Sequence, residues 1–434
     1  MHIPAELMKL FSRIKDTLKS GTGGKFLKLS SGTITAQIIG LAATPVLTRY
    51  YTEDEFGVYA IYLSLLIVIA TSATLRYEMG IIPSKTDEDA KRVAWNAGIS
   101  TLIISGLTLI GLLFAGSWFQ EMMDIPVESF WLFYFLPAAV IAMAFYNILF
   151  NHHNRFEHYS FLGKAKIFQI TSISGIQLAG IPLLLQKTGL IAGDIIGRLL
   201  TILYFFRFNV RRIRSAIKNR PSSRALKANA YRNKAYPKFN LAAAFIDRLS
   251  FEIPVLVITK LFELATVGFY SVAMRVLSLP AMFIGQAMAQ VFYKTFTDYA
   301  HDYKLAKKFL FKTWGFLSLV GLLPLIIILG WGPEIFAFVL GSDWYAAGEM
   351  ARIIAPMIFF IFVSSPSSNA YLTLNLHHLT PIFPVVSLIY RPGCIYIGYL
   401  MGDILTGLWL LTIVHIIFIV LYNAIIIRKL SVNK

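Results

Sequence analysis

Residues 405–427 read LTGLWLLTIVHIIFIVLYNAIII, an apolar run without a single Asp, Glu, Lys or Arg. A run of about 18 or more such residues is long enough to cross a bilayer as a helix. The whole chain agrees with this run, since 56% of its 434 residues are apolar and only 15% are charged. Soluble proteins carry about 25% charged residues. The composition therefore excludes a soluble enzyme of a few domains, and also a disordered chain.

Working outward from this run, we find eleven further apolar segments of similar length. The twelve predicted spans cover residues 29–48, 56–78, 93–115, 130–150, 167–185, 188–206, 239–259, 266–292, 313–330, 350–373, 381–400 and 405–427. We therefore predict an all-α fold, a polytopic membrane protein with twelve transmembrane helices.

The distribution of positive charge predicts the orientation of these spans. Lys and Arg number 40 against 23 Asp and Glu, a formal net charge of +17. If the N-terminus is cytoplasmic, the inner segments hold 31 of these cations, and five arginines lie within spans. The outer connections hold only Arg49, Lys187, Lys260 and Arg391. Because cytoplasmic loops collect Lys and Arg, this asymmetry predicts that both termini are cytoplasmic. It also removes nucleic acid as the explanation of the charge.

Two inner segments are strongly basic. Residues 206–238 carry eleven cations and no acid, and they divide the chain near its centre. This segment is either a solvated linker against anionic lipid headgroups or a docking site for a cytoplasmic partner or lipid head. Residues 1–28 place Leu7, Phe11 and Leu18 on one helix face among basic residues. They are either an amphipathic helix on the inner membrane surface or a disordered basic tail.

The two halves of the chain share a degenerate repeat. Pro45-Val46-Leu47 precedes Gly57-Val58-Tyr59 around the first two spans, and Pro254-Val255-Leu256 precedes Gly268-Phe269-Tyr270 around the seventh and eighth. Six spans in each half make this a parallel repeat. We predict two six-helix bundles, 29–206 and 239–427, around a central cavity. The basic cytoplasmic segments 1–28 and 207–238 and a tail, 428–434, complete the chain.

Five arginines are predicted at membrane depth, where a charge costs a few kcal/mol. They are Arg76, Arg198, Arg248, Arg275 and Arg352. Arg198 follows Asp194 by four residues, which predicts an intrahelical ion pair. For Arg248 and Arg275 two interpretations stay open: a cationic cavity for an anionic substrate, or Arg–acid pairs that join helices.

No catalytic signature occurs in the sequence. Thr52 and Glu55 have the spacing of a capping box, which explains the acidic run Glu53-Asp54-Glu55 better than a metal site does. The chain lacks a Gly-rich phosphate loop, a Gly-x-Ser-x-Gly elbow and a His-Glu-x-x-His motif. We expect no enzyme, no metal and no cofactor.

Four motifs resemble those of bacterial polysaccharide flippases, the O-antigen or oligosaccharide transporters of the multidrug/oligosaccharidyl-lipid/polysaccharide exporter superfamily. They are Leu47–Tyr59 (LTRYYTEDEFGVY), Leu75–Glu78 (LRYE), Val267–Pro280 (VGFYSVAMRVLSLP) and Gly341–Glu349 (GSDWYAAGE), the last followed by Arg352 and Pro356. They occur in the same order along nearly the whole chain.

This resemblance implies a flippase of the bacterial inner membrane. It would move an undecaprenyl-pyrophosphate-linked oligosaccharide from the cytoplasmic to the outer leaflet for O-antigen or capsule synthesis. Membrane lipids and other polysaccharide assembly proteins are the further partners expected, with coupling to a cation gradient or membrane potential. The candidate substrate-binding residues are Arg49, Arg76, Arg248, Arg275 and Arg352. Glu78, Asp247 and Glu252 are candidates for gating or ion coupling.

Two alternatives remain at this stage. An ion-coupled multidrug exporter of the same superfamily would favour acids over arginines in its cavity. A membrane glycan polymerase would need larger outer loops than the roughly twenty residues that the predicted spans leave.

Overall fold

The computed structural model describes residues 21–182, 188–299 and 301–432, and across these ranges every regular element is a helix. The α-helices are α1 (Gly21–Leu47), α2 (Glu53–Ala73), α3 (Asp87–Met122), α4 (Val127–Phe130), α5 (Leu136–Arg155), α6 (Tyr159–Ala179), α7 (Gly189–Lys218), α8 (Ser223–Arg232), α9 (Leu241–Leu261), α10 (Leu264–Asp298), α11 (Tyr303–Leu340), α12 (Tyr345–Ser364), α13 (Ser367–Thr373), α14 (Ile382–Leu400) and α15 (Ile404–Val432). The predicted all-helical fold is confirmed.

Eight helical stretches of the described chain are long and apolar enough to cross a membrane. They are Glu53–Ala73, Asp87–Met122, Val127–Arg155, Gly189–Val210, Tyr303–Leu340, Ser342–Thr373, Ile382–Leu400 and Ile404–Ser431. Shorter apolar helices cover Ser31–Leu47 and Leu264–Ser278. The chain is a multi-pass membrane protein. Each of the twelve predicted spans overlaps a helix, but only part of the set meets the length and hydropathy expected of a span.

The structure corrects three details of the predicted spans. The second span was predicted to reach residue 78, but α2 ends at Ala73 and the chain turns there. The sixth was predicted to end at 206, but α7 continues to Lys218. Arg391 was assigned to an outer connection, but it lies in the middle of α14 and is only 7% exposed. The predicted amphipathic segment within residues 1–28 falls mostly outside the described residues.

The chain divides into two compact units. Unit 1 comprises Met1–Leu47 and Tyr62–Arg248, and unit 2 comprises Thr48–Ile61 and Leu249–Lys434. The division passes through α2, whose first turns belong to unit 2. The capping box predicted at this helix start is confirmed, because the Thr52 N–H donates to Glu55 Oε2 at 2.8 Å and the Glu55 N–H donates to Thr52 Oγ1 at 3.4 Å.

In unit 1 the basic segment after α7 is folded against α3. Ser222 caps α8 by accepting from the Ala225 N–H. Asn96 of α3 donates to the Asn229 side chain and to the Leu226 carbonyl, both at 3.2 Å. Arg232 contacts Asp89 at 2.5 Å at the start of α3. Part of the predicted linker is therefore a docked helix, because these polar contacts join it to a neighbouring element.

In unit 2 the two glycines of the repeat pack against each other. A Cβ added to Gly57 would overlap the Leu264 carbonyl, and one added to Gly268 would overlap the Glu53 carbonyl. The starts of α2 and α10 can approach this closely only because both residues lack a side chain. The glycines at equivalent places in the repeat thus have a packing role.

Trp344 joins three of the four sequence motifs in unit 2. Its ring is 1% exposed and lies edge-on to Phe56 and Phe269, with ring centroids 5.0 and 5.8 Å apart. Its indole N–H donates to the Thr48 carbonyl at 2.8 Å, and the Thr48 hydroxyl donates to the Leu340 carbonyl at 2.9 Å. The motifs that carried the resemblance therefore meet in one packed junction.

Candidate functional site

The turn after α2 holds a buried carboxylate. Leu75 and Arg76 both adopt left-handed backbone conformations, with φ of 51° and 62°. Arg76 Nη1 lies 3.4 Å from Glu78 Oε1, and Glu78 is only 3% exposed. Glu78 Oε2 and Arg76 Nε are buried without a hydrogen-bond partner among the described residues. The pair is thus incompletely satisfied, and backbone strain of this kind is frequent at functional sites.

Asp194 and Arg198 of α7 form the intrahelical ion pair that the sequence predicts. Arg198 Nε and Nη2 contact the two carboxylate oxygens at 2.6 and 2.8 Å, a bidentate arrangement. The Tyr62 hydroxyl adds a contact to Asp194 Oδ2 at 3.1 Å. Asp194 is 1% exposed, so this charge is compensated inside unit 1.

Asp247, Arg248 and Glu252 lie on consecutive turns of α9, at the division between the two units. The Asp247 and Arg248 side chains are exposed on unit 1, and Glu252 is half-buried in unit 2. The Asp247 and Arg248 side chains are thus accessible, whereas Glu252 is less so.

Arg391 of α14 hydrogen-bonds to a backbone carbonyl of α9 that lacks its helical donor. Pro254 lies inside α9 and has no N–H, so the Ser250 carbonyl one turn earlier loses its helical donor. Arg391 Nη1 donates to that carbonyl at 2.6 Å. The guanidinium also lies 4.5 Å from the centroid of the Phe251 ring. The sequence analysis counted Arg391 with the outer connections, although its position in the middle of the predicted span 381–400 was the signal that it lies within a helix.

No carboxylate lies within ion-pair distance of Arg391 in the described parts of the chain. Its charge acts on Tyr270 of α10 and on His415 of α15, two further buried polar side chains. The Glu252 carboxylate also acts on Tyr270, so Arg391 brings a positive charge into unit 2 without a carboxylate at ion-pair distance in the described residues.

Arg275 of α10 is half-buried, and its guanidinium carbon lies 5.8 Å from the centroid of the Tyr59 ring. Within the described residues it makes no ion pair. A cation over an aromatic face is stabilised without being neutralised. Arg275 therefore keeps its positive charge available to an anionic ligand.

Arg49 and Arg352 both belong to unit 2, and they occupy separate positions near the packed junction around Trp344. Arg49 is exposed in the turn after α1, and its Cγ lies beside Gly341. Arg352 Nη2 of α12 lies 3.8 Å from Glu334 Oε2. Its Nε is buried without a hydrogen-bond partner in the described structure.

The predicted site residues thus fall into two groups. Arg76, Glu78, Asp247 and Arg248 belong to unit 1, whereas Arg49, Glu252, Arg275 and Arg352 belong to unit 2. No group of three or more potential metal ligands occurs in the residues that the structure describes. Unit 1 thus contributes two arginines and two acids, whereas unit 2 contributes three arginines and one acid, and the excess of arginines in unit 2 suits an anionic ligand.

Comparison with solved structures assigns the fold. The chain resembles the lipid II flippase MurJ in its inward closed conformation, with a TM-score of 0.71, 14% identity and coverage of 92% of this chain and 87% of MurJ. It also resembles an inward-facing multidrug resistance MATE family transporter of the MOP superfamily, with a TM-score of 0.62, 15% identity and coverage of 94% and 96%. The chain therefore has the fold of this superfamily of membrane transporters.

A third similar structure is a MOP superfamily transporter from Pyrococcus furiosus, whose reversed pocket polarity suggests a different function. Its TM-score is 0.60 at 16% identity, with 94% of this chain and 95% of that chain covered. No curated protein sequence matches the chain. Residues 46–349 match the family described as polysaccharide biosynthesis protein. The chain belongs to this polysaccharide biosynthesis family.

Proposed function

We propose that this protein is a flippase for an undecaprenyl-pyrophosphate-linked oligosaccharide. It moves the repeat unit from the cytoplasmic to the outer leaflet of the bacterial inner membrane, for O-antigen or capsule synthesis. The observation that carries the proposal is the family match over residues 46–349, together with a fold shared with a lipid II flippase. The family and the fold together favour a substrate that is both glycan and lipid.

The arginines supply the chemistry for such a substrate. A pyrophosphate is doubly anionic, and guanidinium groups bind phosphate oxygens bidentately with less loss of hydration than ammonium groups. Arg275 and Arg248 are the first candidates, since Arg275 makes no ion pair in the described residues and Arg248 is exposed. Arg49, Arg76 and Arg352 are further candidates along the path.

The proposed mechanism is alternating access between two six-helix bundles with twelve spans and both termini in the cytoplasm. The arginines hold the pyrophosphate, the sugars occupy water, and the polyprenyl tail stays in lipid. A ligand shifts such an equilibrium only through different affinities for the two states, so these contacts must differ between them. Glu78, Asp247 and Glu252 are the candidates for coupling this change to an ion gradient or membrane potential.

A multidrug exporter is the second candidate, because MATE transporters share the fold. The charges favour the flippase, since an organic cation would be repelled by Arg275 and Arg391. We propose a transporter and not an enzyme. No glycan polymerase activity is needed to account for the family match.

Transport in reconstituted vesicles tests this proposal. Purified protein is placed in liposomes with a labelled undecaprenyl-pyrophosphate oligosaccharide, and the fraction open to an added glycosidase is followed with time. We expect faster exposure than in protein-free liposomes and in liposomes with a boiled sample. Exposure at the protein-free rate, together with uptake of an organic cation dye, would overturn the proposal in favour of the exporter.

A further inference from the structure

Unit 1 contains a cavity that lies outside the candidate substrate residues. Its volume is about 670 Å³, and it lies where the end of α5 and the start of α6 meet residues 207–210 of α7. This volume lies in the range that accommodates small ligands or headgroups, about 300–1,000 Å³. Because the whole lining belongs to unit 1, the cavity is complete within that unit.

A histidine pair forms one wall of the cavity. His153, in the last turn of α5, is 4% exposed, and its Nδ1 lies 3.0 Å from Nδ1 of His158. One of the two nitrogens must donate and the other accept, so the contact orients both rings. In the tautomer in which His153 Nδ1–H donates and His158 Nδ1 accepts, the Nε2–H of His158 is left as a donor for an anionic ligand. His158 also precedes the first residue of α6, where the helix dipole favours an anion.

The opposite wall comes from α7. Arg207 is exposed and contributes a guanidinium, and Asn209 is 8% exposed with its Nδ2 donating to the Phe205 carbonyl at 2.9 Å. One N–H of the Asn209 amide is thus engaged, and the side chain keeps a second N–H donor and an oxygen that can accept from a hydroxyl. None of the lining residues is acidic. The cavity therefore combines donors for a phosphate with an acceptor for an alcohol.

The cavity also borders exposed apolar side chains of α7. Phe208 is 60% exposed, and its ring centroid lies 5.9 Å from that of Phe161, which is itself beside His153 at 4.5 Å. Exposed aromatic side chains next to basic residues at a helix end are typical of the membrane–water interface. A ligand in this position can keep a polar head in the cavity and an acyl chain in the bilayer.

We propose that this cavity binds the headgroup of an anionic phospholipid. Arg207 and His158 contact the phosphate, Asn209 accepts from a headgroup hydroxyl, and Phe161 and Phe208 contact the start of the acyl chains. Phosphatidylglycerol has this chemistry, because it carries one phosphate anion and two alcohols. The site holds a resident lipid against unit 1 and is separate from the residues proposed to meet the transported glycan.

Native mass spectrometry of the full chain in detergent tests this assignment. The probes are phosphatidylglycerol, phosphatidylcholine of the same chain length, and glycerol 3-phosphate. We expect the wild-type protein to retain phosphatidylglycerol in preference to phosphatidylcholine. Arg207→Ala should weaken phosphatidylglycerol binding about tenfold, as loss of one charge-assisted contact does. His158→Gln should weaken it as well.

Arg214→Ala is the matched control, since Arg214 is an exposed arginine of the same helix and does not line the cavity. It should bind phosphatidylglycerol as the wild-type protein does. Equal losses in Arg207→Ala and Arg214→Ala would overturn the proposal, because the attraction would then be general charge. Equal binding of the two lipids would also overturn it. Glycerol 3-phosphate bound as tightly as the lipid would identify a site for a soluble phosphate ester instead.

Discussion

Arg198 of unit 1 and Arg391 of unit 2 are both shielded within apolar helices, but their charges are handled differently. Arg198 is held by both oxygens of the buried Asp194. Arg391 is held by the Ser250 carbonyl and the Phe251 ring, with no carboxylate at ion-pair distance in the described chain. The first arrangement neutralises its charge, whereas the second only solvates it.

This difference separates arginines with a structural role from arginines that raise the electrostatic potential around them. A compensated pair contributes less field at a distance than a single charge, although Arg198 still acts on the neighbouring Lys166, so Arg198 should matter mainly for folding. An uncompensated guanidinium in a low-dielectric interior is felt strongly by neighbouring charges. Arg391 and Arg275 therefore raise the positive potential in unit 2, where an anionic substrate would gain from it.

The largest effect should follow when the compensated pair is broken. Asp194→Ala leaves the mostly shielded Arg198 without its carboxylate, which costs about 3 kcal/mol in the free energy of unfolding. Thermal unfolding of the purified protein in detergent should show a marked drop in Tm.

The matched control removes both charges. Asp194→Ala combined with Arg198→Met should recover most of the stability, since neither charge remains to be compensated. A double variant as unstable as Asp194→Ala would contradict the view that the pair is a closed structural unit.

Arg391→Met should have an intermediate effect. It leaves the buried Ser250 carbonyl without its donor, which costs about 1–3 kcal/mol. Restoring an N–H at position 254 should offset this loss, so Arg391→Met with Pro254→Ala should be more stable than Arg391→Met alone. The same thermal unfolding assay measures both. If Pro254→Ala gives no rescue, Arg391 does not act through the Ser250 carbonyl.

The smallest effect concerns Asp403, which caps the start of α15 outside the membrane spans. Burial alone would raise the pKa of Asp403, but hydrogen bonds from the Leu405 N–H, the Thr406 hydroxyl and the Thr406 N–H lower it below its usual value. A lowered pKa in the folded state stabilises the protein above the unfolded value of about 3.9, and this stability is lost as the pH falls through the folded pKa. Asp403→Ala should cost about 1 kcal/mol at neutral pH.

The check is the Tm of the wild-type protein and of Asp403→Ala between neutral and acidic pH. The difference between them should shrink as the pH falls through the folded pKa. A difference that is independent of pH would show that the carboxylate charge plays no part in the cap.

Much of the fold could be predicted from the sequence, because composition and short residue spacings indicate membrane helices and the pairs within them. Hydropathy predicts the helices, and the four-residue spacing of Asp194 and Arg198 predicts their pair. The capping box at Thr52 and Glu55 is equally local. Such features depend on neighbours along one helix, so a single sequence contains them.

Contacts between helices could not be predicted in this way. Arg391 and Ser250 lie far apart in the sequence, and nothing local indicates that one helix supplies the donor that a proline in another has removed. The close approach of Gly57 and Gly268 appeared only as a repeat, and the Trp344 junction only as separate motifs. The docking of α8 on α3 likewise depends on Asn96 and Asn229 meeting in space.

The central claim is that Arg248 and Arg275, two arginines predicted at membrane depth, bind the substrate. It is tested most directly by surface polysaccharide in cells whose own flippase gene is replaced by Arg248→Ala, Arg275→Ala and the corresponding Lys variants. With protein levels matched, we expect loss of polysaccharide with Ala and partial recovery with Lys, because charge is restored without the guanidinium fork. Normal polysaccharide in both alanine variants at normal protein levels would contradict the claim.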